Sequence, residues 1–383
     1  MPSKHRFRIL AALGVSTVIV ITPQLAGAGS ASPEVSRVTV KASAAHHHRH
    51  HKRRHHHHSH PSTTTTSTTT FPVNPDPAPS PDPQPVPIPI PIPIPNPTPT
   101  PGPAPHADGT CLTQSPTTVR GTQSNRYKPS VSGHLAVDAR GATWTQVDPW
   151  PVSVDGSGRL CWNGGSIVGT YSNNTPWATF HHTGAFNFTN PDSVIEDLRV
   201  HNYGDAINVR DGASNWTVRG AHTTFIHDDC LQDDYLNAGV IDRALFDGCY
   251  VGISTRPSKS NTTSDGRHNT LTLANSLLRL QPMPTVYKGP APGTGGFFKW
   301  DDTGRSPKLA LVNNVFRVDQ TPNHGSLGLP SGYDVTCSGN TIVWLGGGSF
   351  PEAASWKAKC PDTRIVTNQA AWDDAVAAWT ASH

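Results

Sequence analysis

The sequence predicts an all-β fold, a right-handed parallel β-helix with a C-terminal capping helix, preceded by a disordered tail. Three observations predict it. Short apolar segments recur at nearly constant spacing, because Asp205-Ala206-Ile207-Asn208, Asp229-Cys230-Leu231-Gln232 and Val251-Gly252-Ile253-Ser254 follow one another after 24 and then 22 residues. Upstream of each lies a second short apolar segment, within Val194 to Val200, Trp216 to Phe225 and Val240 to Phe246, so each unit reads as strand, turn, strand, turn. Later units place an Asn between two brief strands, as in Leu271 to Leu278, Leu309 to Phe316 and Asp334 to Val343. Asn tolerates the left-handed conformation that a sharp bend needs, and its amide can bond its counterpart one coil away. Such a coil is too short for a βαβ unit, and hairpin signals between alternating strands are missing. Asp211-Gly212 and Asp247-Gly248 sit instead at expected joints between repeats.

From the N-terminus, Lys4, Arg6 and Arg8 precede an apolar run from Ile9 to Ile21 and the small-residue stretch Leu25-Ala26-Gly27-Ala28. This is the pattern of a secretory signal peptide, residues 1–28, and the run is shorter than the roughly 20 apolar residues of a spanning helix. Export and no transmembrane anchor are the expectation, with the mature protein secreted or associated with a cell wall. Residues 29–70 hold a His/Arg/Lys tract from His46 to His60 and a Ser/Thr run, and residues 71–106 form a proline-rich linker. Alternating prolines favour an extended rod, roughly 100 Å long at about 3.1 Å per residue. Neighbouring imidazoles give the His tract weak transition-metal affinity, opposed by the interleaved Arg49, Lys52, Arg53 and Arg54.

The folded domain is expected over 107–383. In an oxidising compartment its six cysteines can form three disulfides. Proximity favours Cys111 with Cys161 and Cys337 with Cys360, and Cys230 lies near Cys249. A net charge of +3, with its basic residues concentrated between Lys41 and Arg54, gives no sign of nucleic-acid binding by the folded part. A monomer is expected. Asn173, Asn187, Asn215 and Asn261 begin glycosylation sequons. Inserts rich in Pro, Gly and Ser, from Thr255 to His268 and Met283 to Thr294, are expected to wall one side of the coil stack. An amphipathic helix is expected from Asn368 to Trp379, with Ala371, Trp372, Val376 and Trp379 on one face.

Equivalent positions of stacked coils form columns, so the repeat alignment is a map of neighbours. With Ile207, Leu231 and Ile253 inside, Asn208, Gln232 and Ser254 turn outward, followed two places later by Arg210, Asp234 and Arg256. The next coil supplies Phe297-Phe298-Lys299-Trp300-Asp301, with Lys299 in the Ser254 column. At the leading edge stand Asp205, His227, Asp228 and Asp229, with Asp233 and Asp234 following. Asp205 and Asp229 fall on adjacent coils about 5 Å apart, close enough that one carboxyl resists ionisation more than the other, which suits acid and base roles. Backbone spacing leaves open the retaining and inverting geometries of a glycosidase.

Here the sequence resembles the pectin-lyase-like β-helix superfamily and, more faintly, its polygalacturonase branch, over Val194 to Asp302. Tyr203-Gly204-Asp205, His227-Asp228-Asp229-Cys230 and Phe298-Lys299-Trp300 carry the likeness. It implies that Asp205, Asp228 and Asp229 are the carboxylates and that Lys299 binds a substrate carboxylate. Gly248-Cys249-Tyr250 stands where that family has its histidine motif, which leaves His227 or Arg256 as substitutes. A lyase would instead need Ca2+, for which Asp228, Asp229, Asp233 and Asp234 are candidate ligands, and a basic residue such as Arg210, Arg256 or Lys299 to take the proton. Asn208, Gln232, Arg210 and Trp300 are the candidate substrate contacts, and Trp216, Tyr235 and Tyr250 are further aromatics able to stack on sugar rings. Asp and Asn are also common at β-helix turns for structural reasons. The expected function is cleavage of an extracellular, uronate-containing polysaccharide by lyase or glycosidase chemistry, or else non-catalytic glycan binding.

Overall fold

A computed structural model describes residues 111–112 and 115–383. The expected signal peptide, His tract and proline-rich linker lie outside these residues. The described chain winds as a parallel β-helix in which every coil contributes short strands to laterally stacked parallel ladders. One ladder runs through Val152, Phe186, Ile207, Leu231, Ile253 and Phe298, each paired with the next. A second runs through Trp162, Ile195, Val218, Ile241, Leu273, Leu311 and Cys337. A third runs through Ile167, Val200, Thr223, Phe246, Leu278, Phe316, Ile342 and Ile365. Most of these side chains are fully buried and face one continuous core. Like side chains stack on like, so the apolar area of each coil is removed from water by its neighbours, which no single coil can achieve.

The bend between the second and third ladders is built the same way in seven successive coils, whereas in the coil before them both ladders lie on one continuous strand, Leu135–Thr145. In the seven it occupies two residues each time: Gly164-Gly165, Asp197-Leu198, Gly220-Ala221, Arg243-Ala244, Asn275-Ser276, Asn313-Asn314 and Gly339-Asn340. The first residue of each pair has positive φ, from 50° at Asn275 to 75° at Gly164. Asn, Asp and Gly therefore dominate the column, since they bear this conformation at least cost. The expected amide ladder is present, one place further on as well as at the bend itself. Asn313 Nδ2 donates to Asn275 Oδ1 at 3.4 Å, while the buried Asn314 Nδ2 donates to Asn340 Oδ1 at 3.0 Å.

Asp247-Gly248 differs from expectation. It lies inside one continuous strand, Leu245–Thr255, where the pairing slips between Asp247 and Cys249 and Gly248 takes φ 115°. A slip also falls between Ile226 and Asp229 in the preceding strand, His222–Asp233. Both absorb the turn from the third ladder to the first without breaking the strand.

Helices are few. Helix α1, Trp177–Phe180, lies in an insert that joins two strands of early coils, Ser166–Val168 and Gly184–Phe188. Helix α2, Ala353–Lys359, buries Trp356 against Phe298 and Phe316. Helix α3, Ala370–Ser382, matches the expected C-terminal helix, and Asn368 Oδ1 accepts the Ala370 N–H at 2.9 Å. Its Trp372 and Trp379 cover Leu245, Leu277 and Val343 along the flank of the stack, while Trp379 Nε1 donates to Arg243 O at 2.7 Å. Cys111–Cys161, Cys230–Cys249 and Cys337–Cys360 form the disulfides that proximity favoured. Among the described residues no helix is long and apolar enough to cross a membrane.

Candidate functional site

The first ladder carries an outward column beside its core column: Ser153, Asn187, Asn208, Gln232, Ser254 and Lys299, in register from coil to coil. Lys299 thus occupies the Ser254 column, as the repeat requires. Its side chain reaches back across the coils, and Nζ donates to Asp229 Oδ2 at 3.0 Å and lies 3.7 Å from Asp228 Oδ1. On the adjacent coil, the Asp229 N–H donates to Asp205 Oδ1 at 3.1 Å. One carboxylate oxygen of each of Asp205, Asp228 and Asp229 falls within a group spanning 4.8 Å. None of the three is more than 2% exposed.

Three carboxyls this close and this dry do not all ionise at neutral pH. Burial, with the charges of Asp228 and Asp229, pushes Asp205 well above the ordinary carboxylate range. Burial also raises Asp229, to about 7, against the pull of Lys299. Asp228 goes the other way: burial opposes its charge, but Lys299 and His181 more than offset that and hold it below the usual value. The cluster therefore contains a neutral acid next to a fixed anion. Burial alone would lower Lys299, yet Asp229 and Asp228 hold it firmly protonated.

The histidine at this cluster is His181, which sequence reasoning missed. Its Nδ1 donates to Asp228 Oδ2 at 2.9 Å, a bond that raises the imidazole's proton affinity. It immediately follows α1 and stacks on Trp177, with ring centroids 4.5 Å apart. The signal was the spacing Trp177 to His181 after Pro176, which puts both rings on one face of a proline-initiated turn. From the other side the insert after Leu280 folds over the same region. Thr285 Oγ1 donates to Thr175 O at 3.0 Å, and Tyr287, 45% exposed, packs between Trp177 and His324. The two inserts together form an aromatic rim beside the acids.

His227 is elsewhere. The slip before Asp229 turns it away, so it stacks on Phe180 at 3.6 Å and Nε2 meets Asn202 Oδ1 at 2.9 Å. Burial lowers its pKa to about 4, so it stays neutral. Asp233 is likewise committed to its own turn, where its carboxylate accepts the N–H groups of Tyr235 and Asn237 at 3.0 and 2.8 Å. Asp234 sits on the open strip, where burial raises its pKa and Lys299, Arg210 and Arg256 oppose that rise. Arg256 is exposed at the rim, close enough to Asp228 and Lys299 to bias their ionisation. Arg210 lies over the Tyr235 ring, 5.6 Å from its centroid. Gln232 is half-buried in the outward column, and both amide atoms of the buried Asn208 lack a hydrogen-bond partner among the described residues. Trp300 is half-buried and donates Nε1 to Pro307 O at 2.9 Å, while Trp216 and Tyr250 are buried.

A Ca2+ ion needs six to eight oxygen ligands. The only carboxylate group of suitable spacing among the described residues is Asp205, Asp228 and Asp229. Its oxygens already serve the Lys299 ammonium, the His181 imidazole and the Asp229 N–H. Of the four expected ligands, Asp228, Asp229, Asp233 and Asp234, Asp233 is turned into its loop and Asp234 lies outside this group. The donor set as arranged suits an ammonium better than Ca2+, and no chemical step is derived through a metal. Compared with known proteins, the chain matches no family model, no curated protein and no solved structure.

Proposed function

We propose that this protein is a secreted glycoside hydrolase acting on an extracellular polysaccharide, with Asp205, Asp228 and Asp229 as its reacting groups. The observation that carries the reading is the clustering of three buried carboxyls with oxygens within 4.8 Å of one another, together with the split in their proton affinities. Glycosidic cleavage needs a neutral acid to protonate the leaving oxygen and a carboxylate to stabilise or activate what attacks the anomeric carbon. Asp229, poised at about 7, is the proton donor in this reading, with Asp205 keeping its own proton beside it. Asp228, held anionic by Lys299 and His181, is the carboxylate partner. The order of the motifs around these residues, similar to that of the polygalacturonase branch, supports the same assignment.

Lyase chemistry is the weaker reading, because it requires a base that is neutral at working pH. Lys299 is driven in the opposite direction by its carboxylates. Its ammonium is also engaged within the cluster, which leaves the exposed Arg256 as the cation open to a uronate carboxylate. A non-catalytic glycan-binding module is favoured by one observation, the near-complete burial of the acids beneath His181.

The test is incubation of the full-length protein with uronate-containing and neutral polysaccharides, following new reducing ends together with ultraviolet absorbance from unsaturated product. Reducing ends without absorbance support hydrolysis, and both together would replace it by a lyase. Neither, with glycan retained on the protein, would leave the binding module. In the active case, replacing Asp228 and Asp229 by Asn abolishes turnover with the fold intact.

A further inference from the structure

A recess opens on the same outward strip, toward the N-terminal coils. It has a volume of about 330 Å³ and is lined by Trp150, Asp155, Asn187, Arg210, Asp211 and Tyr235 among others. Its floor is the outward column itself. Asn187 is 8% exposed, and its Oδ1 has no hydrogen-bond partner among the described residues. One rung further on, outside the lining of the recess, Asn208 is 1% exposed with neither amide atom partnered. Buried amides left unpaired in this way are costly unless something else bonds them.

One wall exists because of a glycine. A Cβ on Gly184 would fall 1.9 Å from the Trp150 ring and 2.7 Å from Asn208 Nδ2, so only glycine leaves room for the indole beside the amide column. The opposite wall is the Arg210 guanidinium over Tyr235, and Arg210 makes no ion pair among the described residues. The recess thus offers a half-buried indole, a phenol ring, an unpaired amide oxygen and one guanidinium. Asp155 and Asp211 add two exposed carboxylates.

We propose that this recess binds a neutral, hydroxyl-rich sugar unit of the same glycan chain, a few units from the acid cluster. Two carboxylates against one guanidinium disfavour a uronate here. Neutral hydroxyls, each both donor and acceptor, satisfy the amide oxygen, the carboxylates and Arg210 at once, and a pyranose face stacks on Trp150. Counting two rungs and three residues along the strand from Asn187 puts the recess roughly 14 Å from Asp229, a span that a single oligosaccharide bridges. The proposal rests on the glycan-cleaving reading for the chain that joins the two positions, while the chemistry of the recess stands on its own residues.

The experiment is calorimetric titration of the full-length protein with hexasaccharides of β-1,4-linked glucose, mannose and galactose and with a hexamer of galacturonic acid. At least one neutral hexasaccharide binds, more tightly than the uronide. Its affinity falls about tenfold or more in Trp150→Ala and in Arg210→Gln, and is retained in Lys308→Gln, an exposed position on the strand Lys308–Val312. Arg210→Gln, which keeps a polar side chain, guards against a Trp150→Ala protein that folds poorly, and thermal melting checks both. Failure of every neutral hexasaccharide to bind, affinity unchanged in Arg210→Gln, or tighter binding of the uronide overturns the proposal. Neutral binding lost in Arg210→Gln, with no turnover of any polysaccharide, sinks the hydrolase reading and leaves the recess standing. Turnover without neutral binding does the reverse.

Discussion

Asp229→Asn tests the electrostatics of the acid cluster without requiring a substrate. Asp229 is fully buried and its carboxyl is raised from 3.8 to about 7, first by burial. Between those values the unfolded chain ionises this group while the folded protein keeps it protonated. The folded state binds one proton more, so stability falls as pH rises. At about 1.4 kcal/mol for each tenfold change in proton affinity, the loss accumulates to about 4 kcal/mol by neutrality. Asparagine is nearly isosteric and does not titrate, and it leaves Lys299 its contact with Asp228. The difference in unfolding free energy, variant minus wild type, is therefore expected to be flat below about pH 4. It then climbs by about 1.4 kcal/mol per pH unit and levels off above about pH 7. Titrating groups that Asp229 does not perturb, such as Asp233 and His227, contribute to both curves and cancel in the difference. Urea unfolding followed by circular dichroism from pH 4 to 8 measures it. A difference that does not change with pH, or that falls, would refute the claim that Asp229 is a buried acid held protonated.

Three further outcomes follow from the same geometry. Lys299→Met removes the ammonium shared by Asp228 and Asp229, and is expected to cost about 3 to 5 kcal/mol near neutral pH and less at pH 4, measured by urea unfolding. His181→Ala removes the donor that helps hold Asp228 anionic, so if the protein turns over glycan, the acid limb of its pH–rate profile should move to higher pH. Replacing Cys230 and Cys249 together by Ala opens a 19-residue cross-link in the core beside the acids, and should lower stability by about 3 kcal/mol in chemical denaturation.

The winding of the chain was legible because coil stacking is periodic, and a fixed period writes itself into sequence. Ile207, Leu231, Ile253 and Phe298 could be aligned by counting, and with them Asp205, Asp229 and Lys299. What counting could not reach lies off the period. His181 and Trp150 belong to segments between strands of early coils, where no repeat fixes their position, and only the folded chain brings them to the strip. His227 was misplaced because a single slip in register reverses the side to which a strand residue points. Asp233 stands in the sequence as a candidate ligand, but its short carboxylate finds nearer donors in the following turn, a local preference of Asp that competes with any site. Trp216, an aromatic candidate for sugar stacking, instead fills the space left by Gly239 on the next coil.

The uniform two-residue corner between the second and third ladders has a consequence for how such a protein can change. Lengthening that corner within the run would break the stacking of its positive-φ residues, whereas the stretches from Thr255 to Thr270 and from Leu280 to Phe298 already vary in length without disturbing the stack. The molecule thus has one repetitive seam and one permissive edge. New recognition loops can be grafted at the permissive edge, beside the acids, while the seam keeps count.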